Sequence, residues 1–209
     1  MLLSLRHKFI FVHIPKTGGT SIRNALEFCS EDIRPYLNDN AKIMVANRQS
    51  AGLSINPPHI NLVDAAKMLT INLHDFLVVC VVRHPVDRLI SYYKYLKFNN
   101  PNHRLHDLAA NTNVDEFAEQ FVLDKGHDTK PQFAYFAPTE ELIFKGHYVL
   151  RCENLEEDFS KLRSNLGLPP IKLGRLNQSK RITGLSLSNE SENLLMAFEA
   201  QTVGLMGYC

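Results

Sequence analysis

The chain has 209 residues with 23 Lys plus Arg and 22 Asp plus Glu, which leaves a formal net charge of +1. This length suits a single domain over residues 1–209, and 44% hydrophobic with 22% charged residues excludes a disordered polyelectrolyte. The near-neutral balance excludes the general basic field that a nucleic-acid-binding or membrane-surface protein uses. Recognition of an anion must therefore come from a few local basic groups.

The cysteines and the first residues indicate the environment of the protein. Cys29, Cys80, Cys152 and Cys209 form no CxxC pair, so the spacing typical of a metal site is absent. The apolar start at residues 1–5 is too short for a signal peptide. No stretch approaches the roughly 20 apolar residues of a membrane span. We predict a soluble protein of a reducing compartment, without a metal.

The first strong pattern is a strand, a glycine-rich turn and a helix. Residues 9–14 form an almost continuous apolar run, which is typical of a strand buried on both faces. Pro15 ends this run, and Gly18 and Gly19 follow. Apolar residues then recur at helical spacing, at Ile22, Ala25, Leu26 and Cys29.

A second unit repeats this order. Residues 76–82 form another buried-strand run, which Arg83 and Pro85 terminate. Pro85 suits the first position of a helix. The apolar face of that helix consists of Val86, Leu89, Ile90, Tyr93 and Leu96. Arg88 and Ser91 lie one turn apart and off this apolar face.

Weaker patterns complete an alternation of strands and helices. Strands are predicted at 42–46 and 147–151. Helices are predicted after a cap at Asn61, at 114–125, at 155–166 and at 189–205, with loops at 99–113 and 171–188. The alternation favours an α/β fold with a parallel sheet and helices on both faces.

The turn of residues 15–21 has the composition of an anion-binding loop. It joins a buried strand to a helix, so its backbone amides and the helix N-terminus would converge on an anion. The adjacent glycines allow a phosphate to approach the backbone, and Thr20 and Ser21 add hydroxyl donors. Lys16 adds a mobile charge. The alternative is a structural turn with a solvated lysine.

This turn is not a Walker A loop. In that motif a lysine follows the last glycine, whereas Lys16 precedes both glycines. The second strand is followed by Arg83, where an ATPase or GTPase often has an aspartate that helps to hold magnesium. The pattern predicts a site for a nucleotide phosphate that uses no metal.

Two segments resemble the cofactor signatures of sulfotransferases that use 3′-phosphoadenosine 5′-phosphosulfate (PAPS): HIPKTGGTS at 13–21 and VVRHPVDRLISYYKYL at 81–96. The likeness is closer to the carbohydrate type, which includes heparan-sulfate 2-O-sulfotransferase-like enzymes and small bacterial relatives. It covers blocks at 9–29, 57–70, 77–98 and 147–183. The resemblance implies a three-layer α/β/α, P-loop-NTPase-like fold with a central parallel sheet. It also implies in-line transfer of a sulfuryl group from PAPS to a hydroxyl, with PAP (3′,5′-ADP) as product.

The resemblance also implies which residues hold the donor. The first segment would bind the 5′-phosphosulfate through Lys16, Thr17, Gly18, Gly19, Thr20 and Ser21. Lys16 would stabilise the negative charge that grows on the leaving phosphate. Arg83 and Ser91 would bind the 3′-phosphate, which suits the planar guanidinium. A late basic loop would close over the nucleotide through Ser179, Lys180 and Arg181.

Each of these donor contacts has a structural alternative. Arg83 could pair with an acid or a carbonyl, and Ser91 could simply fill a helix position. The late loop at 177–181 could be a solvated basic segment.

His59 is the candidate general base among nine histidines. It precedes the predicted helix start at Asn61, where the helix dipole disfavours the imidazolium, and a general base requires a neutral imidazole. The resembling carbohydrate enzymes have a histidine at the start of the corresponding segment. The alternative is a capping or surface residue. His13 is interpreted as a structural neighbour of the turn, and no chemistry is assigned to His103 or His106.

Three further interpretations concern the surroundings of the site. Glu153 lies in a recurrent family segment and is interpreted as fixing a turn near the site.

The chain keeps Gly207-Tyr208 but lacks the acidic and aromatic pattern that precedes this pair in many relatives, which puts the packing of the last helix in question. Loop 99–113 and segment 126–140 are candidate acceptor walls, and the aromatic residues Phe133, Tyr135 and Phe136 of the second could equally be core.

Three functions are weighed. The leading one is a PAPS-dependent sulfotransferase that acts on a carbohydrate hydroxyl. The others are a metal-dependent P-loop kinase, whose Walker loop and magnesium acid cannot be placed, and a non-catalytic module that binds PAP or PAPS. The near-neutral net charge favours a small or weakly charged glycan as acceptor over a long sulfated polymer. For the same reason we expect no nucleic-acid partner. The first strand begins near residue 8, which leaves no room for the Golgi anchor of animal relatives, so a cytoplasmic enzyme of bacterial or viral type is expected.

Overall fold

A four-stranded sheet in the order β1-β2-β3-β4 is the centre of the computed structural model, which describes residues 1–50, 59–137, 145–174 and 184–208. The strands are β1 (Leu2–Ser4), β2 (Phe9–Val12), β3 (Leu77–Val82) and β4 (Gly146–Arg151). β2, β3 and β4 are parallel, and β1 pairs antiparallel with β2. The predicted α/β class is confirmed, and the sheet, which was predicted to be parallel, is parallel in β2, β3 and β4 but has the antiparallel β1 at its edge. β1 was not predicted, because three residues are too few to show a strand period.

Ten α-helices lie within the described residues: α1 (Gly19–Leu26), α2 (Asp39–Ser50), α3 (Leu62–Met68), α4 (Pro85–Asn99), α5 (His106–Asn111), α6 (Val114–Leu123), α7 (Phe133–Phe136), α8 (Leu155–Asn165), α9 (Asn189–Phe198) and α10 (Ala200–Met206). Short 3₁₀ turns lie at Glu27–Cys29, Arg34–Tyr36, His127–Thr129 and Cys152–Asn154. Over this described part, no helix has the length and apolar character needed to cross a bilayer.

Both faces of the sheet are buried, because successive side chains of a strand point to opposite sides. On one face, Ile10 and Val78 pack with side chains of α2, α3 and α7. On the other face, Phe11 and Val79 pack with side chains of α1 and α8. A third apolar cluster joins α4, α5 and α6 to α9. The continuous apolar runs of β2 and β3 are therefore explained by burial on both sides.

The stronger patterns of the sequence are confirmed. The two strand-turn-helix units correspond to β2 with α1 and β3 with α4. The helix predicted after Asn61 is α3, and the Asn61 side chain accepts a hydrogen bond from the backbone N–H of Asp64 at 2.8 Å. The predictions at 114–125, 147–151 and 155–166 correspond to α6, β4 and α8.

The strand predicted at 42–46 is wrong, because these residues belong to helix α2. Ala41 and Val45, four residues apart, are buried, while Ile43 between them is 61% exposed. The buried face of this helix thus contains only one apolar residue per turn. In the sequence, the short apolar run at 43–45 resembled a strand and hid this helical spacing. The edge of β2 that such a strand could have joined is taken by β1.

Two further predictions need correction in the second half of the chain. The loop predicted at 99–113 contains α5, whose Ala109 is fully buried in the cluster with α4 and α6. The helix predicted at 189–205 is two helices, α9 and α10, which meet at Glu199. Of the loop predicted at 171–188, residues 171–174 and 184–188 have neither helix nor strand, and the rest lies outside the described residues.

The aromatic residues of segment 126–140 lie in the core. Tyr135 and Phe136 of α7 are 0% and 2% exposed, and Phe133 packs against the same cluster. These aromatic residues were interpreted either as an acceptor wall or as core, and the structure supports the core.

The edge strand β4 is covered by a side chain of α8. The backbone N–H of Arg151 donates to Oδ2 of Asp158 at 2.9 Å, and the Arg151 guanidinium donates to both carboxylate oxygens of Asp158 at 3.1 Å. Helix α8 and the last residue of the sheet are thereby joined by three hydrogen bonds.

Candidate functional site

The site lies where β2, β3 and β4 end side by side. Because the three strands are parallel, the segments that follow them emerge at the same edge of the sheet, which is where ligands bind in open α/β sheets. β2 leads into the turn before α1, β3 leads through Arg83 and His84 into α4, and β4 leads into the 3₁₀ turn Cys152–Asn154. These segments line a cleft of about 910 Å³.

The structure brings most of the predicted site residues together. The residues of the prediction that line this cleft are Lys16, Gly18, Thr20, Ser21, His59, Arg83 and Ser91. Thr17 and Gly19, in the same turn, are buried and do not line the cleft, and the Thr17 hydroxyl donates to the carbonyl of Ile14 at 3.0 Å. Thr17 therefore has only its backbone amide to offer a ligand. Ser179, Lys180 and Arg181 lie outside the described residues.

The turn before α1 has an unusual backbone. Lys16 has φ +64° and Gly18 has φ +84°, and a positive φ is uncommon for a residue with a side chain. Helix α1 begins directly at Gly19 and, over the described residues, no side chain caps it. The Ser21 N–H donates to the carbonyl of Gly18 at 3.2 Å, and Gly18, Thr20 and Ser21 line the cleft, so this helix N-terminus, whose dipole favours an anion, borders the cleft.

Lys16 is held against an aromatic ring. Its Nζ lies 4.0 Å from the ring centroid of Tyr95 in α4, within the range of a cation–π contact. Burial and, to a smaller extent, the positive charge of Arg83 lower the pKa of Lys16 to about 8. The side chain is thus still largely protonated at neutral pH, but it titrates far closer to neutrality than a solvated lysine does.

His13 is a buried neutral imidazole beside the turn. It is 8% exposed, and its ring stacks on Phe11 at 5.9 Å and lies 4.8 Å from the ring of His59. Burial and nearby positive charge lower its pKa to about 3. Among the described residues, Nδ1 of His13 has no hydrogen-bond partner. The prediction that His13 is a structural neighbour of the turn agrees with this position.

Gly19 is required by the contact with His13. A Cβ built at Gly19 would lie 2.5 Å from Cδ2 of His13, closer than real Cβ atoms approach. The imidazole cannot retreat easily, because Phe11 and His59 lie against it.

The tautomer of His59 follows from its hydrogen bond. Nδ1 of His59 lies 2.9 Å from the carbonyl oxygen of His13. A carbonyl can only accept, so Nδ1 must carry the proton, and the neutral ring has its lone pair on Nε2. His59 lies two residues before Asn61, the cap of α3, as the sequence predicted, and it lines the cleft.

Arg83 is fixed through its backbone, which leaves its side chain to the cleft. Its N–H donates to Oε1 of Gln132, and its carbonyl accepts from Nε2 of Gln132, both at 2.9 Å. The next amide, of His84, donates to Oε1 of Glu153 at 2.7 Å, and Oε2 of Glu153 accepts from the Tyr208 hydroxyl at 3.1 Å. Glu153 therefore fixes the turn after β3, as predicted, and the retained Tyr208 takes part.

Arg88 is not where the sequence placed it. It was assigned off the apolar face of α4, but its side chain is 2% exposed and forms an ion pair with Glu199, which is 1% exposed, at 2.7 Å. Arg88, Tyr92 and Leu96 are all buried at intervals of four residues. That spacing was readable in the sequence and could have placed Arg88 on the buried stripe.

A second set of cleft residues was not assigned individually from the sequence, although His103 and Asp128 lie in the two segments predicted as acceptor walls. Asp128 accepts hydrogen bonds from the Tyr92 hydroxyl and from Arg104 Nη2, the latter at 2.6 Å, and pairs with Nε2 of His103 at 2.7 Å. Nδ1 of His103 accepts from the backbone N–H of Leu105 at 3.1 Å. Both ring nitrogens of His103 are thus engaged. This wall includes part of the 99–113 segment that was predicted to lie near the acceptor.

The sequence model described as the Sulfotransferase family matches residues 1–197. The chain therefore belongs to the sulfotransferase family, transferases that move sulfuryl groups. The match spans both segments whose resemblance was noted in the sequence and all four strands of the sheet. A search of curated proteins found no match. Across the described residues, no group of three or more His, Cys, Asp or Glu side chains could hold a metal ion.

We expect Gly19→Ala to lower the free energy of unfolding by about 1–3 kcal/mol, because the new methyl group overlaps the buried His13 ring. Urea denaturation followed by circular dichroism measures the loss. Gly204→Ala in α10 is the matched control, since a Cβ there meets nothing within 4 Å. The control should be neutral or more stable by up to about 1 kcal/mol. Equal stability of the two variants would contradict the close contact.

Proposed function

We propose that the chain is a PAPS-dependent sulfotransferase that transfers the sulfuryl group to a hydroxyl of a carbohydrate acceptor. The observation that carries this proposal is the convergence of the turn at Lys16, the basic side chain of Arg83 and the imidazole of His59 on one cleft. The family membership supplies the reaction class. Helices on both apolar faces of the sheet support the finer expectation of a three-layer, P-loop-NTPase-like sulfotransferase fold.

The residues present suit a nucleotide with separate phosphate groups. Gly18, just before the N-terminus of α1, is exposed and lines the cleft, so a phosphate could approach the backbone there, whereas Gly19 is packed against His13. Lys16, Thr20 and Ser21 would hold the 5′ side, and Arg83 with Ser91 would hold the 3′-phosphate. Ser179, Lys180 and Arg181 are proposed to complete the 3′ side. The bound donor supplies a sulfuryl group already activated by its bond to phosphate.

Lys16 is proposed to stabilise the charge that develops on the leaving phosphate. Its ammonium is held at the Tyr95 ring and is partly desolvated, so its field is less screened than that of a surface lysine. A fixed charge of this kind does not need to reorganise during the reaction.

His59 is proposed to act as the general base. Its Nδ1–H is anchored on the His13 carbonyl, which orients the ring and directs proton acceptance to Nε2. The neighbouring His13 does not compete for the proton, because its pKa is about 3. The deprotonated acceptor oxygen would then attack the sulfuryl group in line with the leaving phosphate.

The acid content of the cleft supports a small or weakly charged glycan as acceptor. Its lining includes the carboxylates of Asp128, Glu153, Glu156 and Glu157 alongside the cations Lys16 and Arg83. A long sulfated polymer would meet these carboxylates with like charge, whereas neutral sugar hydroxyls can donate to them.

The proposal is tested by calorimetry and by transfer from radiolabelled PAPS to a panel of neutral and sulfated glycans. We expect binding of 3′,5′-ADP without magnesium, and labelled product from a neutral glycan. Binding of ATP with magnesium in preference to 3′,5′-ADP would indicate a kinase instead. Binding of 3′,5′-ADP with no product from any acceptor would indicate a non-catalytic module.

We expect Lys16→Ala to lower kcat by about 10²–10³-fold through lost charge stabilisation. His59→Ala should lower it by about 10²–10⁴-fold through loss of the base. Calorimetry should show 3′,5′-ADP affinity near that of the wild type for His59→Ala and clearly weaker for Lys16→Ala. Lys67→Ala and His74→Ala, both exposed, are the matched controls and should behave as wild type. Full activity of Lys16→Ala or His59→Ala would exclude the assigned role.

Affinity for 3′,5′-ADP should depend on pH through Lys16. The protonated ammonium binds phosphate, and the pKa of Lys16 in the free protein is about 8. Affinity should therefore be constant below that pH and fall above it, by up to about tenfold per pH unit, because binding must then take up a proton. Lys16→Arg should flatten the profile, since arginine stays charged. Calorimetry from neutral pH to about pH 10 measures both, and a flat wild-type profile would contradict this role of Lys16.

A further inference from the structure

A buried carboxylate lies at the junction of α9 and α10, behind the cleft. Glu199 is 1% exposed, and it does not line the cleft. Its Oε1 accepts from Nη1 of Arg88 at 2.7 Å. Its Oε2 accepts from the backbone N–H of Gln132 and from the Thr202 hydroxyl, both at 2.9 Å. The two oxygens thus hold two different segments of the chain.

The first segment leads to Lys16. Besides its pair with Glu199, Arg88 donates from Nε to the carbonyl of Pro15 at 3.2 Å and from both Nη atoms to the carbonyl of Lys130 at 3.2 Å. The Pro15 carbonyl and the Lys16 amide belong to one peptide group, which is planar. The guanidinium therefore fixes the orientation of the peptide plane between Pro15 and Lys16, and Lys16 follows this plane with a positive φ.

The second segment leads to Arg83. Glu199 holds the backbone of Gln132, and the Gln132 side chain, fully buried, is hydrogen-bonded to both the N–H and the carbonyl of Arg83. The amide of Gln132 thereby fixes the residue whose side chain enters the cleft.

We propose that Glu199 is a positioning residue that couples the two phosphate-binding turns. Through Arg88 it sets Pro15-Lys16, and through Gln132 it sets Arg83, so one carboxylate fixes the spacing of the turns for the 5′ and 3′ phosphates of one nucleotide. The identity of these ligands rests on the proposed function. A displacement of about 1 Å in a positioned group can cost about 100-fold, so such a coupling has functional weight.

Variants that break one connection at a time test the coupling. Arg88→Lys keeps the charge, but a single ammonium cannot reach Pro15, Lys130 and Glu199 together. Gln132→Met keeps the volume and the backbone N–H but loses both bonds to Arg83. Glu199→Gln replaces one of the two acceptor oxygens with an NH₂ donor and removes the negative charge that both connections share, so one connection loses its acceptor and the other keeps only a neutral one. Glu190→Gln, exposed in the first turn of α9, is the control.

The probes are 5′-AMP, 3′-AMP and 3′,5′-ADP, measured by calorimetry well below each variant's unfolding temperature. Arg88→Lys should weaken 5′-AMP about tenfold and 3′-AMP less, since Gln132 keeps its own bonds to Arg83 although Lys130 loses its contact, and Gln132→Met should weaken 3′-AMP more than 5′-AMP. Glu199→Gln should weaken both, and 3′,5′-ADP by about 100-fold. A Glu199→Gln protein that melts earlier but binds all three probes as the wild type does would show a merely structural role and overturn the proposal. If Glu199→Gln does not fold, the opposite selectivities of the other two variants decide, and equal losses for both probes in each would overturn it.

A measurement without nucleotide separates this proposal from the proposed function. In ¹⁵N-labelled protein, Arg88→Lys should shift the Lys16 amide, Gln132→Met the Arg83 amide, and Glu199→Gln both. Failure of the wild type to bind 3′,5′-ADP would refute the proposed function, while this pattern would still establish the coupling. Unmoved Lys16 and Arg83 amides in Glu199→Gln would refute the coupling even if the wild type binds 3′,5′-ADP.

Discussion

The ion pair of Arg88 and Glu199 constrains much of the molecule, because both side chains are almost completely buried. Charges taken out of water are tolerated only when opposite charge and hydrogen bonds replace the lost hydration. The structure meets this demand with carbonyls from two segments and with the backbone N–H of Gln132. Each of these partners has to stay in place, so satisfying one ion pair fixes the turn after β2, the segment before α7 and the end of α9.

The same demand explains why the last helix is divided. Glu199 separates α9 from α10, and its side chain turns inward to Arg88 while Thr202, one turn later, donates to it. The erosion of the C-terminal acidic and aromatic pattern had put the packing of this region in question. In the structure this region packs through the buried polar contacts of Glu199 and through Phe198, whose ring lies 6.2 Å from that of Phe121.

The sequence predicted those parts of the fold whose signals are local. The runs of β2 and β3, the Asn61 cap and the glycine-rich turn each depend on neighbouring residues only. Helix α2 was mistaken for a strand because its buried stripe has one residue per turn, at Ala41 and Val45. The partner of Arg88 is 111 residues away, so no local pattern could have identified it.

The same distinction between local and tertiary signals applies to the candidate site. The residue types and spacing around Lys16 and the position of His59 before a helix were readable, and the structure brings both to one cleft. The lowered pKa of Lys16 and the tautomer of His59 were not readable. The first depends on burial and on Arg83, and the second on the carbonyl of His13 from another element. These properties arise from tertiary contacts, which a single sequence does not display.

The contact of Asp158 with the last residue of β4 has a consequence for association between molecules. An edge strand with unpaired N–H groups is a template for pairing with a strand of another chain. At Arg151 this donor is already taken by a carboxylate of the same chain, and the guanidinium lies across the same edge. A second sheet approaching there would have to displace three hydrogen bonds and confront a charged pair. At that end the strand is therefore protected against the edge-to-edge pairing by which sheets aggregate.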